Sequence, residues 1–561
     1  MKRVEDFFFG GVDPIRPWLL LRILLLMLAF DCWLDLIPHG GRYGFNEFNV
    51  SHFAWLDALQ PLPTSGTYVG TMVLTGLLAF VMAVTRPSRA GVFGVFALYT
   101  YGWLMSMLDS YQHHYLLSLL LLNLTFFPMH DSAAIFERGV PPRNRSFGGL
   151  LFSLGVLEVL MGLSGVDSPL TALVGPGAAV ETPTWVWGFR FAVLLLGGLL
   201  AFLPEKDQPT RTPQPDKSDE PTTTSAWAYV SFCVTCGVVY FYTFVGKLPK
   251  DWREGHALRR LQQTELSEAL ETHATTEGLP LVGVQTPEEF WALMAAGAIA
   301  VQLVSCVGFV LASTQDRWPW PPRRRMLVML AFLVAPLSFH LGAEAGLGLD
   351  IGWFSFYMMA VALVVFLPAT VLRTMVYRAT LPVRAISVRL QETTSRATVV
   401  AALVLACAAV LGVGRQLDLP GAWSASLLVA TAIGVLVAID FRTPKRDRAG
   451  SLALGLALGA LLMGWTVVHS DVRFDFYRFV GGEYRRHGEP ARALAAYEKA
   501  NAYVDAPWCV YRGRDLVECY REESEGEQIA ERYRDLRLQR RDRQRQEDEM
   551  RRVVEGNAGG S

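Results

Sequence analysis

Apolar residues along this chain gather into runs of about 20, the length at which a helix crosses a bilayer with every backbone polar group satisfied without water. About thirteen such runs lie near 17–37, 67–85, 90–108, 111–128, 147–164, 186–203, 226–246, 290–313, 326–342, 353–372, 397–413, 422–440 and 450–468. They predict an all-α polytopic membrane protein with a transmembrane domain over 1–372, three additional spans over 373–469, a helical tail over 470–540 and a disordered charged end over 541–561. The first run follows Lys2 and Arg3 but carries Arg22, Asp31 and Asp35 and no small-residue cleavage site, so it is expected to stay as an anchor. Within the transmembrane domain, 204–225 is a linker rich in Pro, Thr and charge, with nothing to pack. In the tail, Tyr477, Val480, Gly481, Tyr484, Gly488, Ala493, Tyr497 and Ala500 match the spacing of one tetratricopeptide (TPR) unit, and 508–540 is expected to add a second, poorer helical pair.

Basic residues in the connecting loops set the orientation, because such loops resist translocation. With the N-terminus cytoplasmic, Arg86, Arg89, Arg138, Arg143, Arg145, Lys206, Arg211, Lys217, Arg317, Arg323 to Arg325, Arg373 to Arg396 and Arg442 to Arg448 all fall on the inner face, while 165–185 and 343–352 carry no Lys or Arg. Thirteen spans then place the C-terminal tail outside, in the periplasm or extracellular space. One outer loop breaks the rule: 247–289 opens KLPKDWREGHALRR and holds Lys247, Lys250, Arg253, Arg259 and Arg260.

Composition narrows the class further. Of 561 residues, 52% are hydrophobic and 18% charged, which argues against a soluble globule. Lys and Arg (51) nearly cancel Asp and Glu (52), so no chain-wide basic field exists to hold nucleic acid. Seven cysteines are too sparse for a disulfide scaffold. Cys233 and Cys236 lie mid-run and read as core packing, whereas Cys509 and Cys519 sit in a polar context and could join in an oxidising compartment.

Polar residues inside apolar runs cost free energy, about 2.5–3.5 kcal/mol for a charge at a helix centre, so they mark candidate chemistry. Arg22 and Asp31 project onto one face of the first run, where a structural ion pair and a functional role weigh equally. Asp109, Gln112, His113 and His114 open the fourth run; adjacent histidines point about 100° apart, so at most one faces a common pocket, and the spacing disfavours metal. Lys247 leaves an aromatic-rich helix just before Pro249, at a helix end where snorkelling competes with a desolvated, neutral amine that acts as a base. His340, Glu344 and Asp350 lie between the ninth and tenth runs. The last three clusters share the outer side, which raises the functional reading of His113, Lys247 and His340 above that of scattered helix-end residues.

The blocks AWLDALQPLP (54–63), YQHHYLLSLLLLNLTF (111–126), VYFYTFVGKLPKDWREG (239–255) and SFHLGAEAGLGLDIGWF (338–354), in this order, resemble the vitamin K-dependent gamma-glutamyl carboxylase and the wider bacterial HTTM membrane family over about residues 7–370. The resemblance implies a bacterial inner-membrane enzyme that couples oxygenation of a reduced vitamin K or menaquinol to proton abstraction and carboxylation of a peptide glutamate, with O2 and CO2 as co-substrates and no metal. It assigns Lys247 as the base and His113 to a quinol oxygen. Arg22, Gln112, His114 and His340 fall on or beside the family's cofactor-site positions, and the aromatics Tyr240, Phe241, Tyr242 and Trp252 are expected to flank the ring. Expected partners are membrane lipid, the quinol, and a peptide or protein at the outer face or the tail. The basic run Lys250 to Arg260 reads equally as an attractor for acidic peptide and as an interfacial helix. The chain departs from the family pattern at Gly246, where the family has a second lysine, at Gln112, and in lacking the large lumenal domain that grips propeptides. A non-enzymatic HTTM-type factor for export or maturation of a small peptide is the alternative; a transporter lacks support, since no inverted repeat is visible.

Overall fold

The computed structural model describes residues 10–45, 48, 63–109, 112–129, 224–261, 265–276, 284–349, 351–375, 396–419, 446–469 and 471–503. Expected spans 147–164, 186–203 and 422–440, the linker up to 223, the LDALQPLP block, the second tail pair and Asp350, Cys509 and Cys519 lie outside these residues. The described chain is helical apart from a two-residue strand pair, β1 (Gly11–Val12) and β2 (Thr224–Ser225).

The helices are α1 (Ile15–Asp31), α2 (Ser65–Val84), α3 (Arg89–Leu104), α4 (Gln112–Thr125), α5 (Trp227–Gly246), α6 (Lys250–Arg253), α7 (His256–Arg260), α8 (Glu265–Thr276), α9 (Pro287–Ala312), α10 (Pro322–Leu341), α11 (Trp353–Phe366), α12 (Arg396–Gln416), α13 (Arg446–His469), α14 (Val472–Arg486) and α15 (Pro490–Asn501). Among the described residues, four are long and apolar enough to cross a membrane, or up to six if each of two bent pairs counts as one span. The expected all-α membrane class is met, and the described residues account for four to six of the thirteen expected spans. Helices α3, α4 and α11 occupy expected spans yet run only 14 to 16 residues, about 21 to 24 Å against a hydrocarbon core of about 30 Å, whereas α1 continues through the turn Cys32–Leu36 to His39.

Two compact units divide the chain, 1–476 and 477–561. In the first, α2 is buried on nearly all sides: the turn Cys32–Leu36 that follows α1 packs Trp33 against Gly76, where an added Cβ would collide with the indole, and α13 sets Gly459 against Phe80. Small residues at these crossings let backbones approach, as membrane helix packing requires. The helical run from α1 is antiparallel to α11, since Arg16 meets Val364 and Val365 while Asp31 meets Tyr357, and to α2, since Arg22 meets Ala83 while Trp33 meets Gly76.

At the end of the bundle where α1 begins, the Arg16 guanidinium, 1% exposed, donates to the carbonyls of Val364 and Val365 (both 2.8 Å) and pairs with Asp316 at 3.2 Å. The Asp13 amide also donates to Asp316, and Arg373 pairs with the Asp13 carboxylate at 2.7 Å. At the opposite end, two single π-turns, Cys32–Leu36 and Gly342–Gly346, interrupt the helical ladder; such turns often sit at functional sites.

In the second unit, α15 packs Tyr497 onto Gly481 and buries Ala493, Ala496 and Ala500. Gly488, at φ 70°, makes the turn before it, and Tyr477 stacks on Tyr503 at 5.8 Å. This is one helical hairpin.

Candidate functional site

Lys247 is placed by a helix stop. Helix α5 ends at Gly246, and the Lys247 amide bonds back to the Phe244 carbonyl at 3.0 Å. Pro249, in extended conformation, then turns the chain into α6, which brings Trp252 back over the lysine. The Lys247 ammonium nitrogen sits 5.0 Å from the Trp252 ring centre and 5.8 Å from that of Phe339. Half burial between these rings lowers its pKa from the ordinary lysine value, because loss of water disfavours the charged form.

Beside it, at the end of α10, lies His340, 2% exposed. Pro336 removes one backbone donor in the turn before it, and the π-turn follows directly. The Nε2 atom of His340 is 2.8 Å from the Tyr240 hydroxyl of α5, and Nδ1 is 3.3 Å from the Ser355 hydroxyl of α11. Both ring nitrogens are thus held by the protein.

His113, in the first turn of α4, meets the same region through Phe354, whose ring lies 5.6 Å from His113 and 6.0 Å from His340. His114 is buried against Tyr99 at 6.3 Å, with its ring edge-on to that of His113 at 4.5 Å. Lys247, Phe339, His340, Phe354 and His113 therefore form one continuous series of neighbours at one end of the bundle, and Tyr240 and Ser355 tie the middle of it together.

Other expected residues lie elsewhere. Tyr242 is 70% exposed: two positions along a helix is about 200°, so when Tyr240 faces inward Tyr242 must face out. Tyr240 takes the interior place expected for it. Phe241 also faces outward. Arg22 lies over the Trp18 ring at 4.6 Å and donates to the Ala83 carbonyl near the end of α2. That places it about 13 Å along α1 from Asp31, in the half of the bundle away from Lys247, and Asp31 takes its hydrogen bond from Tyr357 (2.8 Å). An Arg22–Asp31 pair is not what the fold makes of these residues. The side chain of Gln112 lies outside the described residues. Cys233 and Cys236 are both buried in α5 as packing.

The exceptional basic loop folds as a cap. Helices α6, α7, α8 and the start of α9 enclose Leu258, Ala274, Val284, Phe290, Trp291 and Ala295, with Trp252 and Leu347 packed against them. Arg259 pairs with Glu271 and Glu288, Lys250 with Glu254, and Arg260 with Asp251, while Trp291 donates to Glu271 at 2.9 Å. Local acids thus partner Lys250, Arg259 and Arg260 of the basic run.

The HTTM domain family profile matches residues 187–370, the stretch that supplies Tyr240, Lys247, the cap, His340 and Phe354. Over that stretch the chain is similar to the HTTM domain family, membrane proteins related to vitamin K-dependent carboxylase. No curated protein and no solved structure matches the chain.

Proposed function

We propose that this protein is a quinol-dependent membrane enzyme of carboxylase type, with Lys247 as its base. The observation that carries the reading is a half-buried amine under two aromatic rings, one neighbour away from a buried Tyr–His–Ser network. The donor set suits a reduced naphthoquinone: rings of Trp252, Phe339 and Phe354 for its flat faces, and Lys247, His113 and Tyr240 for its oxygens. When bound, such a quinol supplies the reducing equivalents and, with O2, a base strong enough for a weakly acidic C–H.

The residues of the chain perform the remaining work. Desolvated Lys247 is neutral at a lower pH than an exposed lysine and takes the first proton at its Nζ. His340, fixed by Ser355, holds the Tyr240 hydroxyl in place and acts as a positioning residue. His113 orients from the α4 side. The cap and the apolar helices exclude water. In this reading the expected thirteen spans put the basic loops inside and the site outside, with a peptide glutamate as acceptor of CO2.

Purified protein incubated with reduced menaquinone and oxygen should yield the quinone epoxide, and Lys247→Ala should abolish it. Epoxide formation unchanged in Lys247→Ala removes the lysine from the mechanism. No epoxide from the wild-type protein, with a partner peptide still exported or matured, leaves the non-enzymatic alternative.

A further inference from the structure

Helix α9 carries a residue that none of the preceding chemistry uses. Gln302 is 0% exposed, and neither its Nε2 nor its Oε1 has a hydrogen-bond partner in the protein. Buried carboxamides are almost always satisfied, and leaving both ends bare costs as much as several good contacts return. Nearby polar side chains on the same helix behave differently: the Ser305 hydroxyl bonds back to the Val301 carbonyl at 2.8 Å.

Its position gives the carboxamide a direction. Phe309 lies two turns further along α9, on the same face, and its ring stacks on Tyr240 at 5.6 Å. At the other end of that face, Trp291 touches the cap. Helices α5 and α9 run antiparallel: Gly237 of α5 lies against Phe309, and Gly255, past the end of α5, lies against Trp291. Gln302 therefore sits at a level between Tyr240 and the cap, which is the level of Lys247 and the end of α10.

We propose that the Gln302 carboxamide is a binding residue for the oxygen-bearing ring of a quinone-type ligand at the Lys247–His340 site, an assignment that rests on the function proposed above. The amide suits both redox states, since Nε2 donates to a quinone carbonyl and Oε1 accepts from a quinol hydroxyl. Leucine or methionine of the same size would fill the volume at lower cost.

The test compares the full-length protein with Gln302→Met, by calorimetric titration in detergent, against two probes. One is a short-tailed 1,4-naphthoquinone; the other carries the same tail on a naphthalene without ring oxygens. Wild-type protein should prefer the oxygenated probe by about tenfold or more, and Gln302→Met should lose that preference while binding the naphthalene as before. An undiminished preference in the variant overturns the role of Gln302 and leaves the quinol reading standing. Failure of wild-type protein to bind the naphthoquinone at all removes the quinol reading, and this role with it. Should Gln302→Met not fold, Gln302→Leu takes its place, and the unliganded Tm supplies a second readout. An unchanged or higher Tm agrees with a carboxamide lacking a protein partner, and a marked fall overturns it.

Discussion

Lys247 turns on how much water its amine has lost. Its folded pKa is lowered by burial, so between the folded and unfolded values the unfolded chain binds more protons, and stability rises with pH across that window. The cost of burying the ammonium is full below the folded pKa. Lys247→Met should therefore raise the Tm at neutral pH and flatten its rise toward alkaline pH, as a thermal-melt series would show. Epoxide formation, if Lys247 is the base, should climb with pH through an apparent pKa below that of an ordinary lysine. Tyr240→Phe removes the partner of His340 Nε2; an unsatisfied buried ring nitrogen costs about 1–3 kcal/mol, to be read as lower stability in denaturant. If His340 acts by holding the Tyr240 hydroxyl, His340→Gln should retain more activity than His340→Ala. At this scale the lysine was legible because Pro249 and the aromatic run announce a helix end. Tyr240 over Tyr242 was not, because their spacing says only that they oppose each other, and neither Phe354 nor Gln302 carries a charge to mark it in an apolar run.

Among elements, the cap explains how a run of basic residues folds at one end of the bundle: Lys250, Arg259 and Arg260 pair with acids inside the cap. Thr286 and Glu289 form a capping box that starts α9 at the cap's edge. Gly255 is the element's most constrained point, with φ at 79° and an added Cβ only 2.3 Å from the Trp291 backbone. Gly255→Ala should displace α7 from α9, seen as faster proteolysis within 250–276 and a lower Tm. Positive φ and a backbone collision together are expected to cost about 1–3 kcal/mol. In the tail hairpin, Gly481→Ala should act similarly through the Tyr497 ring, measurable as lost helicity. The run of basic residues was visible in the sequence. Their acidic partners, 12 to 29 residues away for Arg259, were not assignable without the fold.

Over the transmembrane unit, the polar clamp and the candidate site lie at opposite ends of the same helices. Arg16 gathers α11 and the α9–α10 turn onto the start of α1, and β1 pairs with β2 just ahead of α5, so the helix that ends in Lys247 is anchored at its far end. Arg16→Met strips Asp316 of its ion-pair partner and the Val364 carbonyl of its donor, and should destabilise by about 3–5 kcal/mol, read from denaturant unfolding in detergent, with Lys247 untouched. Membrane class, the existence of most helices and the clustering of His113, Lys247 and His340 at one end followed from the sequence alone, because bilayer crossing is a local, compositional demand that each run must meet by itself. The fold decided the rest: which tyrosine turns inward, that Arg22 bonds Ala83 and Asp31 bonds Tyr357, that Lys250, Arg259 and Arg260 find acids within the cap, and that a bare carboxamide lies at the level of the amine. Those are contacts between helices distant in sequence, where rotation of a few tens of degrees chooses the partner and no local pattern records the choice.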